Sequence, residues 1–179
     1  LPLIENRNLK SKISTRVLGV DTSLRSSGVA LIETSGSTLT AIEYERVKNP
    51  VGRSLSKCLN CLYSAITEII DHGKPDAVVV EGIFYCKNVK TAVILGEARG
   101  VVIAAAAVAG IPVYEYSPRS VKQAVVGFGA ASKEQVRKMV ITILKLNDVP
   151  DEDASDALAI AICHAHRATR LAAQTIKEI

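Results

Sequence analysis

The sequence predicts an α/β fold built on one mixed, five-stranded sheet, three antiparallel strands followed by two parallel ones, with helices on both faces. Three observations lead there. Three strand-like runs precede any helical pattern and are joined by turns short enough for an antiparallel meander. After them, helical spacing alternates with two short apolar runs, as when strands are added in parallel through crossover connections. The chain of 179 residues, 48% of them apolar, has material for one substantial core, and no repeat, low-complexity stretch or linker divides it.

The elements follow in order. Arg16 to Asp21, with the run Val17-Leu18-Gly19-Val20, reads as a buried strand, Gly28 to Glu33 as a second, and Thr38 to Val47 as a third with polar alternation. Leu55, Leu59, Leu62, Ile66, Ile69 and Ile70 recur at helical spacing, and His72-Gly73-Lys74-Pro75 ends that helix. Ala77 to Val80 is a continuous apolar strand with Glu81 at its end. A long helix spans Lys90 to Ala109, closed by Gly110, and Ile111 to Tyr116 is the fifth strand. Two helices are expected after it. Ser132 and Gln135 form a capping box for the first, which carries Val136, Met139, Val140, Ile143 and Leu144, and the second starts near Asp153. This is the ribonuclease H-like layout. Residues 1–15, polar and basic and without an initiator Met, read as a trimmed tail, 16–170 as one domain, and 171–179 as a helix end or tail.

Composition narrows the function classes. The longest apolar run, Val101 to Ala109, falls well short of the roughly 20 residues of a membrane span, so no transmembrane helix is expected. The cysteines, at 58, 61, 86 and 163, fit reduced thiols better than a disulfide scaffold. Cys58 and Cys61 lie within a helical pattern, and Cys163, His164 and His166 crowd one late helix, so buried thiols and surface imidazoles are expected rather than a zinc site. Lys and Arg number 22 against 18 Asp and Glu, a net charge of +4. With four acids committed to one site, the rest of the chain is basic enough to attract a phosphate backbone.

Those four acids come from three distant segments. Asp21 and Glu81 each end an apolar strand, and neighbouring parallel strands bring their ends side by side. Asp153 and Asp156, three apart, project together from the first turn of the last helix. One acid at a helix start is explained by the macrodipole, worth about 0.3–1 kcal/mol. Asp151, Glu152, Asp153 and Asp156 exceed that need, and their mutual repulsion calls for a cation. Mg²⁺ suits a few carboxylates plus a substrate phosphate, and two such ions about 4 Å apart suit in-line hydrolysis of a phosphodiester.

Several separated motifs in a fixed order resemble the RuvC-type Holliday junction resolvases over Val17 to Arg167: Gly19-Val20-Asp21 with Arg25 and Gly28; Glu81 with Phe84 and Lys87-Asn88; Gly96-Glu97-Ala98-Arg99-Gly100; Val121-Lys122-Gln123 with Val126-Gly127; Lys133 with Gln135 and Val136; and Asp153-Ala154-Ser155-Asp156-Ala157-Leu158-Ala159. The resemblance implies a magnesium-dependent crossover junction endodeoxyribonuclease of bacterial, cytoplasmic type, acting in recombination and DNA repair. It further implies that Asp21, Glu81, Asp153 and Asp156 are catalytic and hold two Mg²⁺, with Mn²⁺ able to substitute. Lys122 and Lys133 would contact phosphates near the cut, Phe84 would wedge beside the junction centre, and Lys87 and Arg99 would bind DNA. Thr22-Ser23 stands where the family usually has Pro-Gly, and Gly82 where a larger polar residue is frequent.

A four-way junction is nicked on two opposed strands, which a symmetric homodimer matches with two identical sites. The helix over Lys90 to Ala109 is apolar nearly all round and needs covering on more than one face, by the sheet and by a partner subunit or wholly within the chain. A branch-migration helicase complex is a further expected partner, and no membrane is. Two other functions compete. One is a non-catalytic junction-binding module of the same fold. The other is a phosphate-binding domain of the actin or sugar-kinase ATPase type, for which the chain supplies one domain where two are needed, and no Walker-type loop.

Overall fold

The computed structural model describes residues 14–82, 88–170 and 178–179. Strands β1 (Ser14–Asp21), β2 (Ser26–Ser35) and β3 (Thr38–Lys48) form an antiparallel meander. Helix α1 (Leu55–Gly73), strand β4 (Ala77–Glu81), helix α2 (Val89–Val108) and strand β5 (Val113–Tyr116) follow, and then helices α3 (Pro118–Val126), α4 (Lys133–Leu144) and α5 (Glu152–Arg170). The sheet order is β3-β2-β1-β4-β5, with β4 parallel to both β1 and β5.

Strand period places alternate residues of β1 on opposite faces. Leu18 and Val20 join Val29, Leu31, Val78 and Val80 in a core beneath α1 and α2. Val17 joins Ala30, Ile32 and Val79 in the other core, beneath α3, α4 and α5. On that second face α5 lies directly on the sheet backbone. A Cβ on Gly19 would come within 2.3 Å of the Ala157 carbonyl oxygen, and one on Gly28 within 1.9 Å of the Asp153 carbonyl oxygen. Both glycines are therefore required by closeness, and Gly28 seats the first turn of α5 against the sheet.

Two expectations need correction. Three helices follow β5, not the two expected: the additional one is α3, which Ser117 caps by accepting the Ser120 N–H at 3.1 Å, Pro118 opens, and Gly127 ends at φ +83°. That is the usual asymmetry of Pro at a helix start and Gly just past its end. The first strand also starts at Ser14, so Ser14 and Thr15 pair with Ser35 and Thr34 rather than belonging to a tail. Residues 1–13 and 171–177 lie outside the described residues.

Helix α2 meets the length and composition of a membrane span, with a mean hydropathy of 1.7 over its most apolar stretch. Ala98, Val102, Ala105 and Ala106 nevertheless pack into the core with α1 and the sheet, while Val89, Val93 and Val108 are exposed.

Candidate active site

Asp21 and Glu81 each follow the paired residues Val20 and Val80, so the parallel β1–β4 ladder delivers their carboxylates side by side at one sheet edge. Glu81 is in turn paired with Tyr116, and α3 begins just beyond it. The middle of α3 brings Lys122 and the first residue of α4 brings Lys133 to the same edge, and α5 brings Asp156. Asp21, Glu81, Lys122, Lys133 and Asp156 line a cavity of about 250 Å³, floored by Val121, Val136, Ala159 and Ile160. Asp153 stands at its flank, where Ser26 Oγ donates to Asp153 Oδ2 and Arg46 Nη1 lies 3.8 Å from the same oxygen.

The electrostatics match a crowded anionic pocket. Burial first, then the Asp156, Glu81 and Asp153 carboxylates, push the Asp21 carboxyl up to about 7, against a lowering pull from Lys133. Burial and Asp156 push Glu81 upward, opposed by Lys133 and Lys122. Lys133 Nζ donates to Glu152 Oε1 at 2.7 Å and to Asp156 Oδ2 at 3.0 Å, and these contacts raise its own pKa.

The crowd of acids at the start of α5 separates into distinct tasks. Asp151 is the helix cap: its Oδ1 accepts the Ala154 N–H at 3.0 Å and its carbonyl accepts the Ser155 N–H at 2.9 Å. Glu152 pairs with Lys133. Only Asp153 and Asp156 join the site, so the need for a cation inferred from four adjacent acids rests on two of them together with Asp21 and Glu81.

The donor set is carboxylate oxygen throughout, which fits a hard divalent cation rather than a soft one. Among the described residues, no three His, Cys, Asp or Glu groups stand at the mutual spacing of ligands on one ion. In this arrangement Lys133 takes up the charge of Asp156, and Arg46 that of Asp153. The residual crowding is felt at Asp21, whose pKa is raised by burial first and then by all three other acids.

The remaining expected residues fall elsewhere. Arg99, on α2, is bonded to Glu115 on β5 and does not line the cavity. Phe84 and Lys87 lie outside the described residues, as does Cys86. His164 is not a surface imidazole: it is 6% exposed, meets the Tyr116 hydroxyl through Nδ1 at 3.0 Å, and burial pushes its pKa down to about 4. Cys58 and Cys163 are buried thiols, and burial pushes Cys163 up to about 11.

The turn after Asp21 closes by other means than Pro-Gly. The Ser23 N–H donates to Ser27 Oγ at 3.0 Å, and Ser27 Oγ donates back to the Ser23 carbonyl at 2.5 Å. Arg25 Nη1 donates to the Pro50 and Arg53 carbonyls at 2.9 and 3.2 Å, tying the β3–α1 loop to this turn. Ser26 and Arg46 were missed from the sequence. The observed register, from Asp21 to Gly28 to Arg46, connects them, and it follows an irregularity in the β2–β3 pairing that the sequence does not mark.

Similarity to known proteins extends over most of the chain. The family model described as crossover junction endodeoxyribonuclease RuvC matches residues 17–164. The chain is 45% identical over 154 residues to the crossover junction endodeoxyribonuclease RuvC of Pelotomaculum thermopropionicum, covering 86% of this chain and 94% of that one. It is 45% identical over 157 residues to the RuvC of Chloroflexus aggregans, covering 87% and 96%. Among solved structures, T. thermophilus RuvC in complex with Holliday junction substrate superposes with a TM-score of 0.83 at 31% identity, covering 92% of this chain and all of that one. An ATPase domain of the actin or sugar-kinase type is thereby set aside: the chain belongs to the RuvC family of crossover junction endodeoxyribonucleases.

Proposed function

We propose that this protein resolves four-way DNA junctions by paired, metal-dependent hydrolysis of the phosphodiester backbone. The observation that carries this reading is Asp21: a strand-end carboxyl held near neutrality by burial and by three carboxylates from β4 and α5, in a cavity that two lysines also enter. Its relatives of the same family are crossover junction endodeoxyribonucleases, and one of them is described bound to a Holliday junction.

Asp21, Glu81, Asp153 and Asp156 would hold two Mg²⁺, with Mn²⁺ in their place when supplied. When bound, the ions supply an activated water and charge stabilisation at the scissile phosphate. The chain itself contributes the rest. Ser26 orients Asp153. Lys122 and Lys133 provide cationic groups at the cavity for the incoming phosphate, and Lys133 must exchange its contact with Asp156 for that role. The apolar floor of Val121, Val136 and Ile160 restricts water on one side of the acids.

A homodimer is the assembly we infer. Val89, Val93, Gly96, Gly100, Ala104 and Ala107 are exposed and recur three or four apart, an apolar stripe along α2 without charge. Small residues at that spacing let a second helix approach closely, and a two-fold operator would make the stripe self-complementary.

A labelled synthetic four-way junction, compared with its linear arms in Mg²⁺ and in EDTA, tests the function. Symmetric nicking of the junction in Mg²⁺ alone is expected, with Asp21→Asn binding the junction and leaving it uncut. Cleavage by Asp21→Asn, or equal cleavage of the linear arms, would defeat the reading.

A further inference from the structure

We propose that Arg46 is a positioning residue of the junction-cutting site, pinning the first turn of α5 so that Asp153 turns a single oxygen toward the other acids; this rests on the function proposed above. Three strands line up the parts. Asp21 on β1 pairs with Gly28 on β2, and Gly28 pairs with Arg46 on β3. Residues opposite one another across strands share a sheet face, and a Cβ on Gly28 would point at the Asp153 carbonyl. Arg46 therefore stands on the α5 face, and the missing side chain at position 28 leaves the start of α5 within its reach.

Its guanidinium meets two acids of that helix start. Nε lies 3.2 Å from Asp151 Oδ2 and Nη1 lies 3.8 Å from Asp153 Oδ2. Nε is buried and not aligned for a hydrogen bond, so it acts through charge. Asp151 is the cap whose Oδ1 receives the Ala154 N–H. One side chain thus grips both the cap of α5 and the site acid two residues further on. Ser26 donates to the same Asp153 oxygen. Both contacts fall on Oδ2, which leaves Oδ1 as the oxygen for a cation. A phosphate anchor would present its guanidinium to solvent. Arg46 spends its charge on carboxylates of its own chain, which would otherwise repel one another and Asp21.

The test uses the full chain with Arg46→Met, Arg46→Lys and Ser26→Ala. Junction cleavage is resolved into kcat and KM at saturating Mg²⁺, junction binding is measured in EDTA, and melting is measured in both EDTA and Mg²⁺. Arg46→Met should lower kcat about 10-fold, the scale of losing a partner that orients a metal ligand, with KM and junction binding unchanged. The interval between melting temperatures in Mg²⁺ and in EDTA should widen by about 3 °C, because the unbraced acids depend more on the cation. Arg46→Lys should restore most of that interval and part of kcat. Ser26→Ala should lower kcat with the arginine in place, and it carries the test together with Arg46→Lys if Arg46→Met does not fold. An unchanged kcat in Arg46→Met would overturn the proposal. So would weaker junction binding in EDTA with kcat retained, the mark of a phosphate anchor, or an equal fall in melting temperature with and without Mg²⁺, the mark of a purely structural role. Failure of the wild-type protein to cut any junction would remove the function itself, while the melting comparison would still judge the brace.

Discussion

Asp21→Asn should make the metal-free protein more stable while abolishing its cleavage. The Asp21 carboxyl sits at about 7 against an ordinary 3.8, so ionising it in the folded state costs about 4 kcal/mol at about 1.36 kcal/mol per pKa unit. Asparagine removes that charge but must still bury a polar amide, which offsets about 1–3 kcal/mol. A net gain of about 2 kcal/mol remains, or about 4–8 °C in melting temperature for a chain of this size. Because the folded pKa lies above the unfolded one, the proton on Asp21 favours the fold. That contribution is complete below pH 3.8, declines as pH rises, and is gone above about 7. The advantage of asparagine should accordingly be largest near pH 8 and shrink toward pH 4. Scanning calorimetry in EDTA across that range measures it, with cleavage of a labelled junction in Mg²⁺ as the companion assay. A mutant that melts below the wild type at pH 8 in EDTA would refute the reasoning that burial and three neighbouring carboxylates crowd this site.

Gly28→Ala should lower stability by about 1–3 kcal/mol through overpacking and depress cleavage as well, since its Cβ would displace the first turn of α5 at the Asp153 carbonyl; unfolding curves and junction cleavage check both. Lys133→Met removes the cation that lowers both Asp21 and Glu81, so both should rise further. In EDTA the melting temperature of that variant should fall more steeply with pH than that of the wild type, and Mg²⁺ should recover more of it. Val93→Asp on the exposed stripe of α2 should yield a monomer of 19.1 kDa by light scattering where the wild type has twice that mass; a wild type already at 19.1 kDa would rule out the inferred dimer.

The sheet was legible because its signals are local. Continuous apolar runs marked the buried strands and polar alternation the third, and two of those runs end in an acid, Asp21 and Glu81. Parallel pairing of β1 with β4 then needed only the order of elements. Helix α3 was less legible because nine residues carry few apolar repeats, and only its caps mark it. Arg46 was hidden by a register shift. Counting back from the Ser35–Thr38 pair at the β2–β3 turn places Glu45 opposite Gly28, but an irregularity between Leu31 and Ile32 inserts Ile42 and moves Arg46 there instead. A slip of one residue exchanges the faces of a strand, so a regular β2–β3 register would have set Arg46 on the opposite face of the sheet. The tasks of Asp151 and Glu152 were hidden for a different reason: a helix cap and an ion pair with Lys133 are three-dimensional facts that acid spacing does not encode.

Anomalous diffraction from a crystal equilibrated with Mn²⁺ tests the central claim most directly. Peaks bounded by the carboxylates of Asp21, Glu81, Asp153 and Asp156, with Lys133 withdrawn from Asp156, are the predicted result. Manganese bound only elsewhere on the chain, with Lys133 still paired to Asp156 and Glu152, would contradict it.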